Sequence, residues 1–325
     1  MLQKVGAVDA GGRRLTPLGR HLSGLGVDVK VGKVLLYACA FRCVEKGLTI
    51  AAVMAVGKSL FQKDFDDSGG PARKAAVRSF QVDGSDWLTA CEVWRQAEIN
   101  KSSARWCRDK FLSRSVLREV GDLREYFRRS LRDGGFASGA RGEGAENANA
   151  GVDGVVHACV MAGLAGGGEN VARWSRAEGV FCGKDKVALH GSSVLSEKDW
   201  GAGGGDDRLV VFGEKFSGAK STWLNMAAVV DPLAMLLVGG EGGGGGDDVK
   251  VEFVEGRLLV DGWGAGGVRC NARIGAGLRE LRSAFGAEME GFWGRKDGRG
   301  GGDLERLVAE EEGVARLVLQ LIKHN

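Results

Sequence analysis

Residues Gly213 to Thr222 read GEKFSGAKST, the nearest approach to a chemical motif in this chain. A phosphate-binding loop needs its lysine directly after the second glycine, so that the ammonium reaches the β- and γ-phosphates. Here Ala219 stands between Gly218 and Lys220, and no buried strand-loop-helix unit surrounds the run. The segment therefore reads as a hairpin between strands, with nucleotide binding as its competing reading. No paired catalytic carboxylates, Ser-His-Asp order or H-E-x-x-H helix stands out. The four histidines, His21, His157, His190 and His324, read as structural or solvated. Cys39 and Cys43 are spaced to share a helix face, but zinc requires four ligands and no second Cys/His pair lies near. They read as core residues. Seven cysteines, an odd number without framework spacing, indicate reduced thiols in an intracellular compartment.

The elements that must position any site occupy 325 residues, enough for two or three domains. The 55 glycines are unusual. Many fall in runs (Gly203 to Gly205, Gly242 to Gly246, Gly300 to Gly302) that read as flexible insertions, because glycine loses most entropy on ordering. Net charge is only +3, but residues 1–132 hold 24 Lys and Arg against 14 Asp and Glu. The remainder is acidic, and such asymmetry is the mark of a polyanion-facing surface or of solvated helix faces. No signal-peptide pattern and no apolar run of about 18 residues occurs, so the expectation is a soluble protein, cytoplasmic or nuclear.

Thr16 followed by Pro17 is a helix start, cap then first turn. Val29 to Val44 has helical period with Val31, Val34, Leu35, Ala38 and Phe41 as the buried stripe. Leu48 to Val56 is a further helix. Breaks at Asp66 to Pro71 and at Asp83 to Asp86 precede a helix carrying Trp87, Leu88, Cys91 and Trp94. Ala104 to Leu131 reads as one long basic amphipathic stretch, and Asp133 to Gly154 as a loop or disordered insertion. Val155 to Leu164 is a short apolar helix. From about Ser175 the period changes. Val187 to His190, Leu209 to Phe212, Thr222 to Leu224, Val249 to Val254 and Leu258 to Val260 read as strands of a small barrel or sandwich. Ala276 to Gly291 and Leu304 to Lys323 close the chain as helices.

Several of these segments resemble, in order, the helicase-associated region of DEAH/RHA-type RNA helicases. Gly6 to Asp9 and Leu15 to Leu22 look like its winged helix. Gly32 to Leu36, Phe41 to Cys43 and Leu48 to Ala52 resemble the opening of its ratchet bundle, and Gly57 to Phe61 its K-S-P-F element with Leu60 for proline. Asp83 to Leu88 and Trp94 resemble a D-H-x-x-D-H-L segment and its tryptophan, without two histidines. Trp106 to Ser113 resembles W-C-x-x-N-F-L-S, and Ala162 to Leu164 with Asn170 to Arg173 an A-G-L-Y-P-N-V-A run. His190 to Val194 is similar to H-P-S-S-V, Val211 to Lys215 to V-Y-x-E-K, and Val229 to Gly240 to V-S-P-L-A-L-L-L-F-G-G. Val260 to Trp263 is similar to a V-D-G-W strand.

The resemblance implies a multidomain, mainly α fold with a small β-barrel. It divides into a winged helix (1–30, truncated at its start), a ratchet bundle (31–174, with an insertion near 133–154), an OB-like barrel (175–265) and a C-terminal helical extension (266–325). The implied function is the accessory RNA-channel region of an ATP-dependent RNA helicase, binding single-stranded RNA without sequence preference. The alternative is a protein-docking or regulatory module without RNA contact. Because the resemblance starts almost at Met1, the RecA-like motor domains are expected outside this chain. On that reading the chain has no catalytic residues, metal or cofactor, and ATP and Mg enter only with the motor. Partners are then single-stranded RNA, motor domains in the full-length protein or in trans, and a regulatory protein on the winged helix, with no membrane. Lys101, Arg105 and Arg108 are expected on one helix face toward the strand, with Lys110 beside them. In the barrel, Lys215, Lys220 and Trp223 are candidates for a basic, stacking groove, with His190, Ser192 and Ser193 as polar contacts.

Overall fold

The computed structural model describes residues 2–3, 5–9, 11–62, 70–82, 84–138, 144–165, 170–175, 178–195, 207–218, 221–239, 251–254, 257–260, 267–294 and 313–324. The glycine runs and Asp261 to Trp263 lie outside them.

Helix α1 (Pro17–Leu25) starts where Thr16 and Pro17 place it: Gly19 N donates to the Thr16 hydroxyl at 2.9 Å. Asp28 caps α2 (Val29–Ala40), accepting from Lys30 N at 2.9 Å. Every residue from Val31 to Ala40 is buried, so the expected five-residue stripe was too narrow. A helix buried all round belongs in the middle of a bundle, and α2, which buries even Lys33, packs there against α3 (Val44–Val56) and α8 (Asp153–Leu164).

Helices α4 (Gly70–Arg78) and α5 (Asp86–Ile99) follow. The single basic stretch expected from Ala104 is broken into α6 (Ala104–Asp109) and α7 (Arg114–Asp133). Phe111 takes φ +55°, which no α-helix tolerates, and Ser113 caps α7 through Val116 N. Residues 60–62 hold the break open: Gln62 N donates to Phe111 O and Ser113 N to Leu60 O, both at 2.8 Å. The segment read as an insertion is partly ordered. A 3-10 turn (Ala145–Asn147) precedes Asn149, whose Nδ2 reaches Phe41 O at 2.8 Å from a buried position.

Strands β1 (Val171–Ser175), β2 (Gly179–Cys182), β3 (Asp185–Leu189), β4 (Asp207–Ser217) and β5 (Thr222–Val230) form a closed barrel in the order β1-β2-β3-β5-β4. The pairing β3–β5 is parallel, the others antiparallel. The first strand thus begins ahead of the period change read near Ser175. The expected barrel strands after residue 249 do not join it. They are β6 (Val251–Val254) and β7 (Arg257–Val260), paired with β8 (Gly267–Arg269) in a separate sheet. Closure of β4 on β1 leaves the barrel no free edge to receive them.

Helix α9 (Pro232–Val238) is capped at its start by Asp231, and Arg282 of α10 (Ala272–Gly294) donates to the α9 carbonyl Leu236 O and, at 2.7 Å, to Gly239 O. Helix α11 (Val314–His324) packs on α8 and α10. Trp293, Met289, Val318 and Ile322 share one core with α2, α8 and the outward faces of β4 and β5. A second, smaller core fills the barrel interior around Trp174, Val210, Phe212 and Leu224. No described helix is long and apolar enough to cross a membrane.

Candidate nucleic-acid interface

The helical part and the barrel meet at the head of α5. Ser85, the α5 cap, bridges to Ala228, and Val229 N donates to Gly84 O at 3.2 Å. His157 Nε2 lies 2.8 Å from the Ser85 hydroxyl. Next in line, the Asp86 carboxylate accepts from three barrel donors: Val194 N at 2.7 Å, Ala227 N at 2.7 Å and the Ser193 hydroxyl at 2.8 Å. Burial pushes its pKa up to about 6, against these hydrogen bonds, which favour the ionised form. Trp87 is fully buried against Gly213, where an added Cβ would stand 2.9 Å from the indole Cη2.

Beside this joint lies a cleft of about 940 Å³. One wall is helical and carries Lys30, Lys58, Ser59 and Arg73; the other is the barrel, with His190, Ser192, Glu214, Phe216 and Asn225. Phe216 is 45% exposed, with its ring centroid 6.4 Å from that of His190. Lys58 pairs with Glu119 of α7 at 3.0 Å, Lys30 Nζ reaches Asn170 Oδ1 at 2.7 Å, and Arg73 Nε donates to Gln62 O at 3.0 Å. Lys58 and Arg73 keep N–H donors that these contacts do not use.

The barrel wall depends on a local break in strand alternation. Phe212 and Ala227 face each other in the ladder and both point into the barrel, as does Leu224. Strict alternation from Phe212 would turn Glu214 inward, and Ala227 and Leu224 could not share a face. Met226 takes φ +53°, so the facing flips there. The opposed pair Glu214 and Asn225 consequently lines the cleft, and so does Phe216.

Polar side chains follow one another across this wall. Ser192 N donates to His190 Nδ1 at 3.2 Å, with the Ser192 hydroxyl 2.7 Å from the same nitrogen. A backbone N–H only donates, so Nδ1 is the acceptor and neutral His190 carries its proton on Nε2. The Ser192 hydroxyl lies 3.3 Å from Asn225 Oδ1, and Asn225 Nδ2 donates to Glu214 Oε2 at 3.4 Å.

Of the residues expected from sequence, His190 and Ser192 line the cleft. Ser193 is instead committed to Asp86. Lys215 is absent from the lining and pairs with Asp185 at 3.6 Å, because the flip at Met226 gives the cleft to Glu214. Trp223 is half-buried opposite Phe216, and Lys220 lies outside the described residues. Lys101 is not on a helix face with Arg105 and Arg108: it sits in the turn before α6 with φ +51°. Arg105 and Arg108 are exposed on α6, Arg105 lying 3.9 Å from Asp109, and Lys110 Nζ stands 5.8 Å from the centroid of the Phe80 ring. None of these four lines the cleft. Lys30, Arg73, Glu214 and Asn225 were missed as site residues. Lys58 and Ser59 were visible only as the K-S element. The phosphate-loop look-alike is the β4–β5 hairpin, closed by Gly218 N donating to Ser221 O at 2.9 Å.

Residues 28–123, which supply the helical wall, match the helicase associated domain (HA2), ratchet-like. The chain matches the helicase-associated C-terminal region of DExH/DEAH-box RNA helicases. It is 29% identical over 306 residues to the DExH-box ATP-dependent RNA helicase DExH4, chloroplastic, of Arabidopsis thaliana, covering 81% of this chain and 20% of that protein. To the ATP-dependent RNA helicase DHX29 of Homo sapiens it is 28% identical over 290 residues, and to that of Mus musculus 30% over 288, each covering 81% of this chain and 19% of the relative. The chain thus spans about a fifth of the length of these curated relatives.

Proposed function

We propose that this helicase-associated chain is the accessory single-strand-binding part of a DExH-box RNA helicase, holding RNA in the cleft between the ratchet helices and the barrel without itself hydrolysing ATP. The observation that carries this reading is the cleft itself. It sets Lys30, Lys58 and Arg73 opposite the Ser192 hydroxyl, the His190 Nε2–H and the half-exposed Phe216 ring. Cations give sequence-independent grip on phosphates, and an exposed ring gives any base a stacking face. The barrel supports the same reading. Its closed five-stranded order, with β3 parallel to β5, supports reading it as an OB-like barrel, a scaffold that presents single strands along one face. The segment before α1, with its Val8–Leu15 bridge, is read as part of a winged helix that offers a surface to a regulatory protein. ATP and Mg belong, on this proposal, to RecA-like motor domains acting with the chain.

The test is fluorescence anisotropy of a labelled single-stranded oligoribonucleotide titrated with the 325-residue protein at two salt concentrations. Binding weakened roughly 10-fold or more between about 50 and 200 mM salt is expected, in line with several phosphate contacts. No binding at the lower salt overturns the reading in favour of a protein-docking module, and ATP hydrolysis by the pure chain overturns its second half.

A further inference from the structure

Glu214 is out of place in a cleft built for a polyanion. A carboxylate repels phosphate, yet the flip at Met226 turns this side chain into the cleft and sends Lys215 away from it. Among the described residues no lysine or arginine forms a salt bridge with Glu214, so its charge is not spent holding a neighbouring cation. Its Oε2 accepts one weak bond from Asn225 Nδ2 at 3.4 Å. Its Oε1 faces the C-terminal end of α3, where Gly57, at φ +62°, adds no side chain: a Cβ there would come within 3.9 Å of that oxygen. The cleft therefore offers a carboxylate acceptor with open lone pairs, beside the Asn225 amide, His190 and cations. Such an oxygen can pair only with a donor on the ligand. A sugar-phosphate strand carries one donor that is independent of sequence, the ribose 2′-hydroxyl, and this group separates RNA from DNA.

We infer that Glu214 accepts a hydrogen bond from a ribose 2′-hydroxyl of the bound strand, so that the cleft prefers ribo- to deoxyribo-oligonucleotides. The inference rests on the single-strand reading above. The cations and Phe216 bind either sugar equally. Glu214 repels either backbone, and only the 2′-hydroxyl offsets that repulsion. The carboxylate thus acts more by rejecting DNA than by holding RNA.

The experiment compares oligo(rU) and oligo(dU) of equal length, since uracil has no exocyclic amine and sugar is then the only variable. Anisotropy with the full chain is expected to show oligo(rU) bound roughly 10-fold more tightly, the lower end of what one charge-assisted hydrogen bond contributes. Glu214→Ala should bring that ratio close to one by raising affinity for oligo(dU). Glu214→Gln, which keeps a carbonyl acceptor without the charge, should raise both affinities and retain a ratio above that of Glu214→Ala. Equal binding of both strands by the wild-type chain overturns this inference alone, as does an unchanged ratio in Glu214→Ala. A preference that appears with oligo(rA) over oligo(rU), and not between sugars, assigns Glu214 to base amines and also overturns it. Failure to bind either strand overturns the single-strand reading, and this inference with it.

Discussion

Asp86 joins the two halves of the molecule through its carboxylate, which terminates three barrel donors. Each of those donors is buried or half-buried, so Asp86→Ala leaves them unpaired in place of a hydrogen bond. A loss of about 3 kcal/mol in urea-unfolding stability is expected. The pH dependence has a definite sign. Burial raises the folded-state pKa from 3.8 to about 6, so the folded protein binds more protons than the unfolded chain between those values. This group's contribution to stability is therefore fully present below about pH 4 and declines as pH rises through 6, by up to about 3 kcal/mol. Asp86→Asn does not titrate. Urea midpoints of the two proteins at pH 4.5 and 6.5 check this: the variant should lose less stability over that interval, and parallel behaviour would refute the assignment. The Asp-rich helix start was legible in sequence as a break before Trp87. That its carboxylate reaches across to residues 193–227 was not, because nothing local to α5 specifies those partners.

Helices α3 and α7 are tied by Glu45, whose carboxylate meets Arg124 Nη2 at 2.6 Å and Arg128 Nη1 at 2.7 Å. Arg124 also donates to the Glu45 carbonyl at 2.8 Å and to the Thr49 hydroxyl, and its guanidinium stacks 4.8 Å from the Trp94 ring centroid. Burial pushes the Glu45 pKa up, but Arg128 and Arg124 together outweigh it and hold the carboxyl below its ordinary value. Its stabilisation is thus present above about pH 4.5 and lost as pH falls through the depressed value. Glu45→Gln leaves two nearly buried guanidiniums short of charge. Because the Glu45 side chain keeps 24% exposure, a cost of about 2 kcal/mol is expected, below that for a fully buried pair. Chemical denaturation at pH 7 should show it, and at pH 3 the gap between variant and wild type should narrow. The starts of α1 and α5 were legible because caps and breaks are local chemistry. The split of α6 from α7 was hidden, since residues 60–62 impose the turn at Phe111 from elsewhere in the chain. The barrel strands were legible in part: Thr222 to Leu224 signalled β5, but the flip at Met226 that decides which side chains face the cleft answers to Asp86 and Trp87. Lys215 was expected in the groove for its charge, and nothing in the sequence marked Glu214 as the residue facing the cleft.

At the scale of the whole molecule, the excess of cations in residues 1–132 splits into populations with different expected roles. Arg105, Arg108 and Lys101 are exposed outside the cleft, whereas Lys30, Lys58 and Arg73 line it. Total charge cannot separate these groups, but counterion release can. Each phosphate neutralised on a single strand adds about 0.7 to the slope of log K against log salt. If the strand lies in the cleft, Lys58→Ala with Arg73→Ala should reduce that slope by about 1.4. The pair Arg105→Ala with Arg108→Ala should leave it nearly unchanged while removing the same formal charge. Anisotropy titrations at four or more salt concentrations give both slopes. A larger loss from the α6 pair would move the strand out of the cleft and onto the α6 surface, restoring the path that the sequence first indicated. Glu119→Gln supplies an internal check, because it frees Lys58 from its 3.0 Å ion pair without touching the cleft wall. A strand bound in the cleft should then gain about 2-fold in affinity at low salt, the scale of a released surface pair, and lose that gain as salt screens it.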